Sequence, residues 1–127
     1  MVVTKLTLIG VLVASSYGPG LIGNTTACGQ TLTPRTIGVA HKTLKCGTLV
    51  RLCHGRKCAD VKVIDRGPFS GDRTWDITEG TTKRVWGINA NQWGVRKVRA
   101  FRIRKVKATS NAPAKRPTYP SHLRSTL

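Results

Sequence analysis

Apolar and polar positions alternate with a period of two over much of this chain, which is the spacing of strands rather than helices. Leu6 to Ser16 is an apolar, β-rich run that stops at the turn Tyr17-Gly18-Pro19-Gly20. Thr36 to Ala40 reads as a short strand leading into His41. Thr48 to Cys53 and Ala59 to Ile64 read as a hairpin, with Val61 and Val63 facing one way and Asp60 and Lys62 the other. Thr78-Glu79 fits the start of a short helix that runs to about Trp86 and ends at Gly87. Gly94 then precedes a last strand, Val95 to Val106. There Phe101 and Ile103 alternate with Arg102 and Arg104, while Val98 and Ala100 take the opposite phase. That switch predicts a bulge or twist near Ala100-Phe101 and makes the strand a basic rib.

Two segments fall outside this strand pattern. Asn24-Thr25-Thr26 matches a glycosylation sequon by pattern only and reads as a turn. Residues 108–127 are rich in Pro, Ser and Thr and carry Lys115, Arg116 and Arg124. They read as a basic tail following a single domain at 1–107.

Composition narrows the class. A chain of 127 residues with 39% hydrophobic content suits one small β-domain with a modest core. The formal charge of +17 favours polyanionic surroundings such as nucleic acid, teichoic acid or an anionic cell wall. All five acids (Asp60, Asp65, Asp72, Asp76 and Glu79) lie in one central segment. Nucleic-acid binding would rest on charge alone, because no aromatic-basic recognition motif is present. No apolar run is long enough for a membrane-spanning helix.

Four cysteines in a small basic β-protein suggest two disulfides and an oxidising compartment. Cys53 and Cys58 flank His54-Gly55-Arg56-Lys57, a turn that invites a clasped hairpin, and Cys28 would then pair with Cys46. Sequence leaves all three connectivities open. The competing reading is a zinc site on Cys53, His54 and Cys58, but that spacing matches no standard finger. No metal or other cofactor is expected. His54, in the hairpin turn, and His122, in the tail, receive no role.

The chemistry concentrates at Val63-Ile64-Asp65-Arg66-Gly67-Pro68-Phe69, where a carboxylate stands at the point a strand breaks into a turn. A lone Asp of this kind more often caps a turn. Here it belongs to an ordered series: Ala14 to Gly20, Thr26-Ala27-Cys28-Gly29, Ala40-His41-Lys42-Thr43-Leu44, Gly47 to Val50, the Asp65 segment, and Trp75-Asp76-Ile77-Thr78. From about Val11 to Ile103 the series resembles the rare lipoprotein A family of double-psi β-barrels, relatives of barwin and expansin domains. The resemblance implies an all-β barrel of about six strands with one short helix. It also bears on the N-terminus, where Lys5, the apolar run and small Ala14 to Ser16 otherwise look like a signal peptide. The family's first strand ends in this motif, which favours a strand. No Cys follows the apolar run, which argues against a lipoprotein anchor.

Family resemblance also implies an activity. Its best-known members are lytic transglycosylases that cut peptidoglycan glycan strands lacking stem peptides. One acid protonates the glycosidic oxygen and then acts as base on the sugar's own 6-hydroxyl, unlike the usual two-carboxylate scheme. Asp65 matches the family's acid/base, and His41 matches a residue that orients Asp65 or holds the sugar. Tyr17, Arg66, Trp75 and Asp76 are the implied substrate-binding residues, with Asp76 also suited to accept hydrogen bonds from a loop or helix start. Trp75 is the preferred sugar-stacking ring over Trp86 and Trp93. Ser16 stands where the family often has Trp. A general acid needs its pKa raised by burial or like charge, and Arg66 beside Asp65 works against that.

The expected partner is therefore a peptidoglycan glycan strand or another anionic wall polymer, in the cell envelope or outside the cell. The alternative is a noncatalytic wall-binding or structural module, such as a phage tail component, assembled through the basic last strand and tail.

Overall fold

The computed structural model describes residues 1–107. The tail assigned to 108–127 lies outside the described residues. Six strands and two short helices follow in the order β1 Val2–Tyr17, β2 Val39–Ala40, β3 Leu49–His54, β4 Lys57–Asp65, β5 Trp75–Thr78, α1 Glu79–Trp86, α2 Ala90–Trp93 and β6 Arg96–Lys107. The strands close a barrel in the order β1-β5-β2-β4-β3-β6. Two of its contacts, β1 with β5 and β2 with β4, are parallel, and the others are antiparallel. This is the mixed six-stranded double-psi barrel expected.

The inward phase of each strand fills the barrel. Val50 and Leu52 on β3 stand opposite Val61 and Ala59 on β4, and all four are buried. Ala14, Val39, Val63, Ile77, Val98 and Ala100 complete the apolar centre, with Trp75 and Trp93 as its largest side chains. Each such side chain contributes roughly 1.5–3 kcal/mol on burial if large, so the core is modest but continuous.

Several elements differ from expectation. β1 begins at Val2 rather than Leu6, because β6 continues to Lys107 and pairs with it from Val2 to Ala14. The bulge expected at Ala100-Phe101 occurs opposite those residues, on β1 between Leu8 and Gly10. Arg102 is half-buried and pairs with Val50, so the exposed basic rib consists of Lys97, Arg99, Arg104, Lys105 and Lys107. The strand expected over 36–40 shrinks to Val39–Ala40. Helix α2 is an addition, started by a capping box between Asn89 and Gln92.

Both disulfides form, Cys28–Cys46 with Cα atoms 5.7 Å apart and Cys53–Cys58 at 4.0 Å. None of the four cysteines is free, so the zinc reading on Cys53, His54 and Cys58 fails for want of thiolates.

Threonines anchor α1 to the barrel. Thr78 caps the helix by accepting from the Thr81 amide, and its hydroxyl donates to the Thr36 carbonyl at 2.7 Å. The Gly38 amide donates to the Thr81 hydroxyl at 3.0 Å. Gly80 makes this approach feasible, since a Cβ there would collide with the Thr36 carbonyl oxygen. Helix propensity alone would favour Ala over Gly by about 1 kcal/mol. We expect the clash to win, with Gly80→Ala destabilising the fold by about 1–3 kcal/mol in chemical denaturation. An equal or higher stability would show that α1 can shift away from Thr36.

Candidate functional site

The barrel topology lines up four residues in one cross-strand row. Ser15 on β1 pairs with Asp76 on β5, Asp76 pairs with Ala40 on β2, and Ala40 pairs with Asp65 on β4. Register partners share a face of a sheet, so the two carboxylates stand on either side of the small Ala40 side chain. Two strand spacings separate their backbones, roughly 10 Å. Ala40 lies between them in the floor of a groove of about 290 Å³, whose walls include Phe69, Arg73 and Tyr17. A second hollow of about 190 Å³, bordered by Asn24, Thr25, Thr26 and Leu32, adjoins it. Tyr17, Leu21 and Asp65 border both, so Asp65 stands at the junction.

Asp65 is held by three donors from three segments. The Tyr17 hydroxyl donates to Oδ2 at 3.2 Å, and the Ala27 and Arg66 amides each donate to Oδ1 at 2.9 Å. Burial, with the charge of Asp65 and this hydrogen bond, pushes the Tyr17 phenol well above its ordinary value, so it stays a donor.

Asp76 has a different environment. Burial pushes its pKa up to about 6, against the opposing effects of the Ser15 hydrogen bond and the Arg73 charge, with Asp65 adding to the rise. The Ser15 hydroxyl donates to its Oδ1 at 3.0 Å. Asp76 is thus a groove carboxyl that keeps its proton up to mildly acidic pH, and the residue pattern gave no sign of this.

His41 departs from the first of its two expected roles, that of orienting Asp65. Its backbone amide bonds the Asp65 carbonyl at 3.2 Å, but its imidazole does not meet the Asp65 carboxylate. Nδ1 instead accepts from the Thr43 and Leu44 amides at 3.1 and 3.0 Å, which places the proton of the neutral ring on Nε2. Burial lowers its pKa, and the nearby Arg66 and Lys42 charges lower it further. The ring packs 4.6 Å from that of Trp75. Tyr17 and the Ala27 and Arg66 amides therefore orient Asp65 in place of His41.

The expectations for Trp75 and Arg66 are corrected, and those for the other tryptophans hold. Trp75 is fully buried inside the barrel and offers no face to a sugar. Trp93 is buried with its indole donating to the Ala14 carbonyl, and the Trp86 indole donates to the His54 carbonyl, so neither is a groove platform. Arg66 borders the groove, but its guanidinium donates to the carbonyls of His41 and Leu44 at 3.2 and 2.7 Å. It pins the His41 loop and is not free for substrate. Ser16 faces α1, 3.4 Å from the Thr82 hydroxyl, so its departure from Trp strips nothing from the groove. The apolar ring available in the groove is Phe69, 83% exposed, which the run Asp-Arg-Gly-Pro-Phe places next to the site. Among the described residues, no cluster of three or more His, Cys, Asp or Glu is suited to a metal.

This fold defines a double-psi β-barrel with a groove across its carboxylate row, and comparison with known proteins specifies the family. The double-psi barrel family described as lytic transglycolase matches residues 10–100. The chain belongs to this rare lipoprotein A-like family. A Synechocystis protein named probable endolytic peptidoglycan transglycosylase RlpA is 37% identical over 84 residues, covering 65% of this chain and 26% of that protein. The Yersinia pestis endolytic peptidoglycan transglycosylase RlpA is 39% identical over 75 residues, covering 57% of this chain and 21% of that one. The chain thus spans about a quarter of the length of these relatives. In fold it is similar to the Clavibacter michiganensis expansin, with a TM-score of 0.53 at 18% identity over 84% of this chain and 53% of that one. A mutant of that expansin in complex with cellohexaose gives a TM-score of 0.54 at 17% identity, with the same coverage.

The raised pKa of Asp76 has a consequence for stability. The folded chain protonates Asp76 near 6, and the unfolded chain near 3.8. The folded state therefore binds more protons in that window, and this contribution to stability is lost as pH rises from about 4 through about 6. His41 acts oppositely just below its unfolded value of about 6.5, because there the unfolded chain takes the proton first. Thermal denaturation of Asp76→Asn across this range should lack the Asp76 decline and retain only the His41 rise. A decline unchanged from wild type would place the buried proton elsewhere.

Proposed function

We propose that this chain is a lytic transglycosylase of peptidoglycan glycan strands, working in the cell envelope or outside the cell. The observation that carries this reading is Asp65 at the junction of two groove segments, its carboxylate fixed by Tyr17, Ala27 and Arg66. A strand lying along the groove would present a glycosidic oxygen at that junction. Asp65 protonates this oxygen as the bond breaks, then removes the proton of the sugar's own 6-hydroxyl as that oxygen closes on the anomeric carbon. The products are a new chain end and a 1,6-anhydro sugar, with no water consumed. Phe69 offers a ring to a neighbouring pyranose, and the charge of +17 draws an anionic wall polymer to the surface. The names of the relatives, all peptidoglycan transglycosylases, support the same substrate class.

The protonation of Asp76 favours a second division of labour. With a pKa of about 6 it carries the proton at mildly acidic pH, while Asp65, across Ala40, serves as the base. The alternative of a noncatalytic wall-binding or virion module predicts the same groove with no turnover.

Digestion of sacculi freed of stem peptides, with anhydro-muramyl ends counted by mass spectrometry, separates these readings. Asp65→Asn should lower the rate by about 10²–10⁴-fold without abolishing sacculus binding. If Asp76 is the donor, Asp76→Asn loses a comparable factor and removes the alkaline limb near pH 6; if Asp65 acts alone, that variant keeps the wild-type profile. Sacculi bound by wild type with no anhydro ends would leave a binding module.

Tyr17→Phe keeps the ring and deletes one donor to Asp65. We expect a fall in kcat of about tenfold with KM little changed. An unchanged kcat would show that the two amides suffice.

A further inference from the structure

We propose that the outer edge of β1, over Val2–Leu8, is a self-association surface that pairs with the same edge of a second copy of this chain. A closed barrel has no free strand edges, but here one strand outruns its neighbour. β1 meets β5 only over Ala14–Tyr17, whereas β6 accompanies it from Ala14 back to Val2. Over residues 2–12 β1 is therefore paired on one side only among the described residues. The resulting two-stranded ribbon, Val2–Ile9 with Phe101–Lys107, also lies outside the residues 10–100 that the family matches.

An unpaired edge exposes backbone N–H and C=O groups ready to bond another strand, and proteins usually blunt it with charge, proline or shortness. Among the described residues, a single charge is all that protects this edge. Val2–Leu8 spans seven residues, above the usual strand length of about 5–6, before the bulge at Ile9 interrupts it. It contains no proline and one charge, Lys5, and residues 6–34 contain no Asp, Glu, Lys or Arg at all. Among the described residues nothing covers its apolar side chains, with Val2 65% and Leu8 63% exposed.

Charge distribution selects a second copy as the occupant. A chain of +17 repels itself unless its cations are kept from the contact. Here four of the ribbon's five cations, Arg102, Arg104, Lys105 and Lys107, sit on β6, on the far side of β1 from the free edge, and Lys5 alone lies on β1. Edge-to-edge pairing puts the two β6 strands outermost in a four-stranded sheet, about 14 Å apart across three strand spacings. That exceeds the Debye length of about 8 Å at physiological ionic strength, so the repulsion is screened. An antiparallel pairing about a two-fold axis is self-complementary and closed, which gives a dimer and not a fibre. Lys5 opposite Lys5 of the partner subunit would be unfavourable, so the axis falls off Lys5.

Sedimentation velocity of the full chain across a dilution series tests this, alongside hydrogen exchange at high and low concentration. We expect a monomer–dimer equilibrium in which amides of Val2–Leu8 gain protection as concentration rises and those of β3 do not. Leu8→Lys, at a side chain exposed in the monomer, should weaken dimerisation by about tenfold or more while leaving the thermal midpoint of the diluted protein unchanged. A monomer at every concentration overturns the proposal, as does a dimer indifferent to Leu8→Lys. Anionic phosphatidylglycerol vesicles form a separate arm: binding to them by a chain that stays monomeric in solution would assign the edge to a lipid surface instead.

Discussion

Barrel closure depends on a strand of two residues. Val39 and Ala40 must bond β4 on one side in parallel and β5 on the other antiparallel, with no further residues to share the task. What lengthens this contact is the surrounding network: the Thr78 amide to the Gly38 carbonyl, the Gly38 amide to Thr81, and the His41 amide to the Asp65 carbonyl. The same residues set the groove. Ala40 fixes how far apart Asp65 and Asp76 stand, and a larger side chain there would fill the space between them. Stability and site geometry therefore share one element, and its two side chains divide the work, Val39 to the core and Ala40 to the groove floor.

The electrostatics follow from how few acids this cationic chain has. Asp60 is spent on Arg51, bound by two guanidinium nitrogens at an exposed position where such pairs add little stability. Glu79 accepts from the Ala90 amide and neighbours Lys83, tying the two helices together. Asp72 is exposed in the loop before β5, and Asp65 and Asp76 remain for the groove. In a field this positive a carboxyl is ordinarily held ionised, and Arg73 pulls Asp76 that way. Burial opposes it and dominates, because removing water from a carboxylate costs more than one partly solvated cation returns. The site thus obtains a protonatable acid by desolvation, without needing an acidic surface.

Local signals in the sequence were readable where the physics is local. The Cys53–Cys58 hairpin, the Thr78 cap, the Gly87 stop and the phase switch near Ala100 all depend on neighbours within a few residues. Asp65 was legible as a strand-end carboxylate in a motif. Its donors were not, because Tyr17 lies 48 residues away and Ala27 contributes only a backbone amide. Trp75 misled for a related reason. An aromatic beside an acid looks like a sugar platform, but strand alternation turns Asp76 to the groove and Trp75 to the core. The capping box of α2 spans a four-residue helix in a polar stretch, too short for periodicity to mark it.

The remaining question is what keeps the loop carrying Ala27 against Asp65, since residues 18–38 contribute no regular strand to the barrel. Two attachments and one internal brace hold it. The Cys28 amide bonds the Ile64 carbonyl, Cys28 is joined to Cys46, and Thr26 is buried with its hydroxyl bonded to Gln30. Closing a loop of this size by a disulfide is worth about 3 kcal/mol in the chain-entropy account. Cys46 in turn ends the His41 loop, whose carbonyls at His41 and Leu44 are bound by Arg66. Arg66 also supplies one of the amides on Asp65. The loop that supplies one donor and the residue that supplies another are thus fastened to the same short segment, 41–46. This is the physical sense of an Arg directly after the acid: its charge is spent on carbonyls behind the groove, where it braces Asp65 without occupying the space a substrate would take.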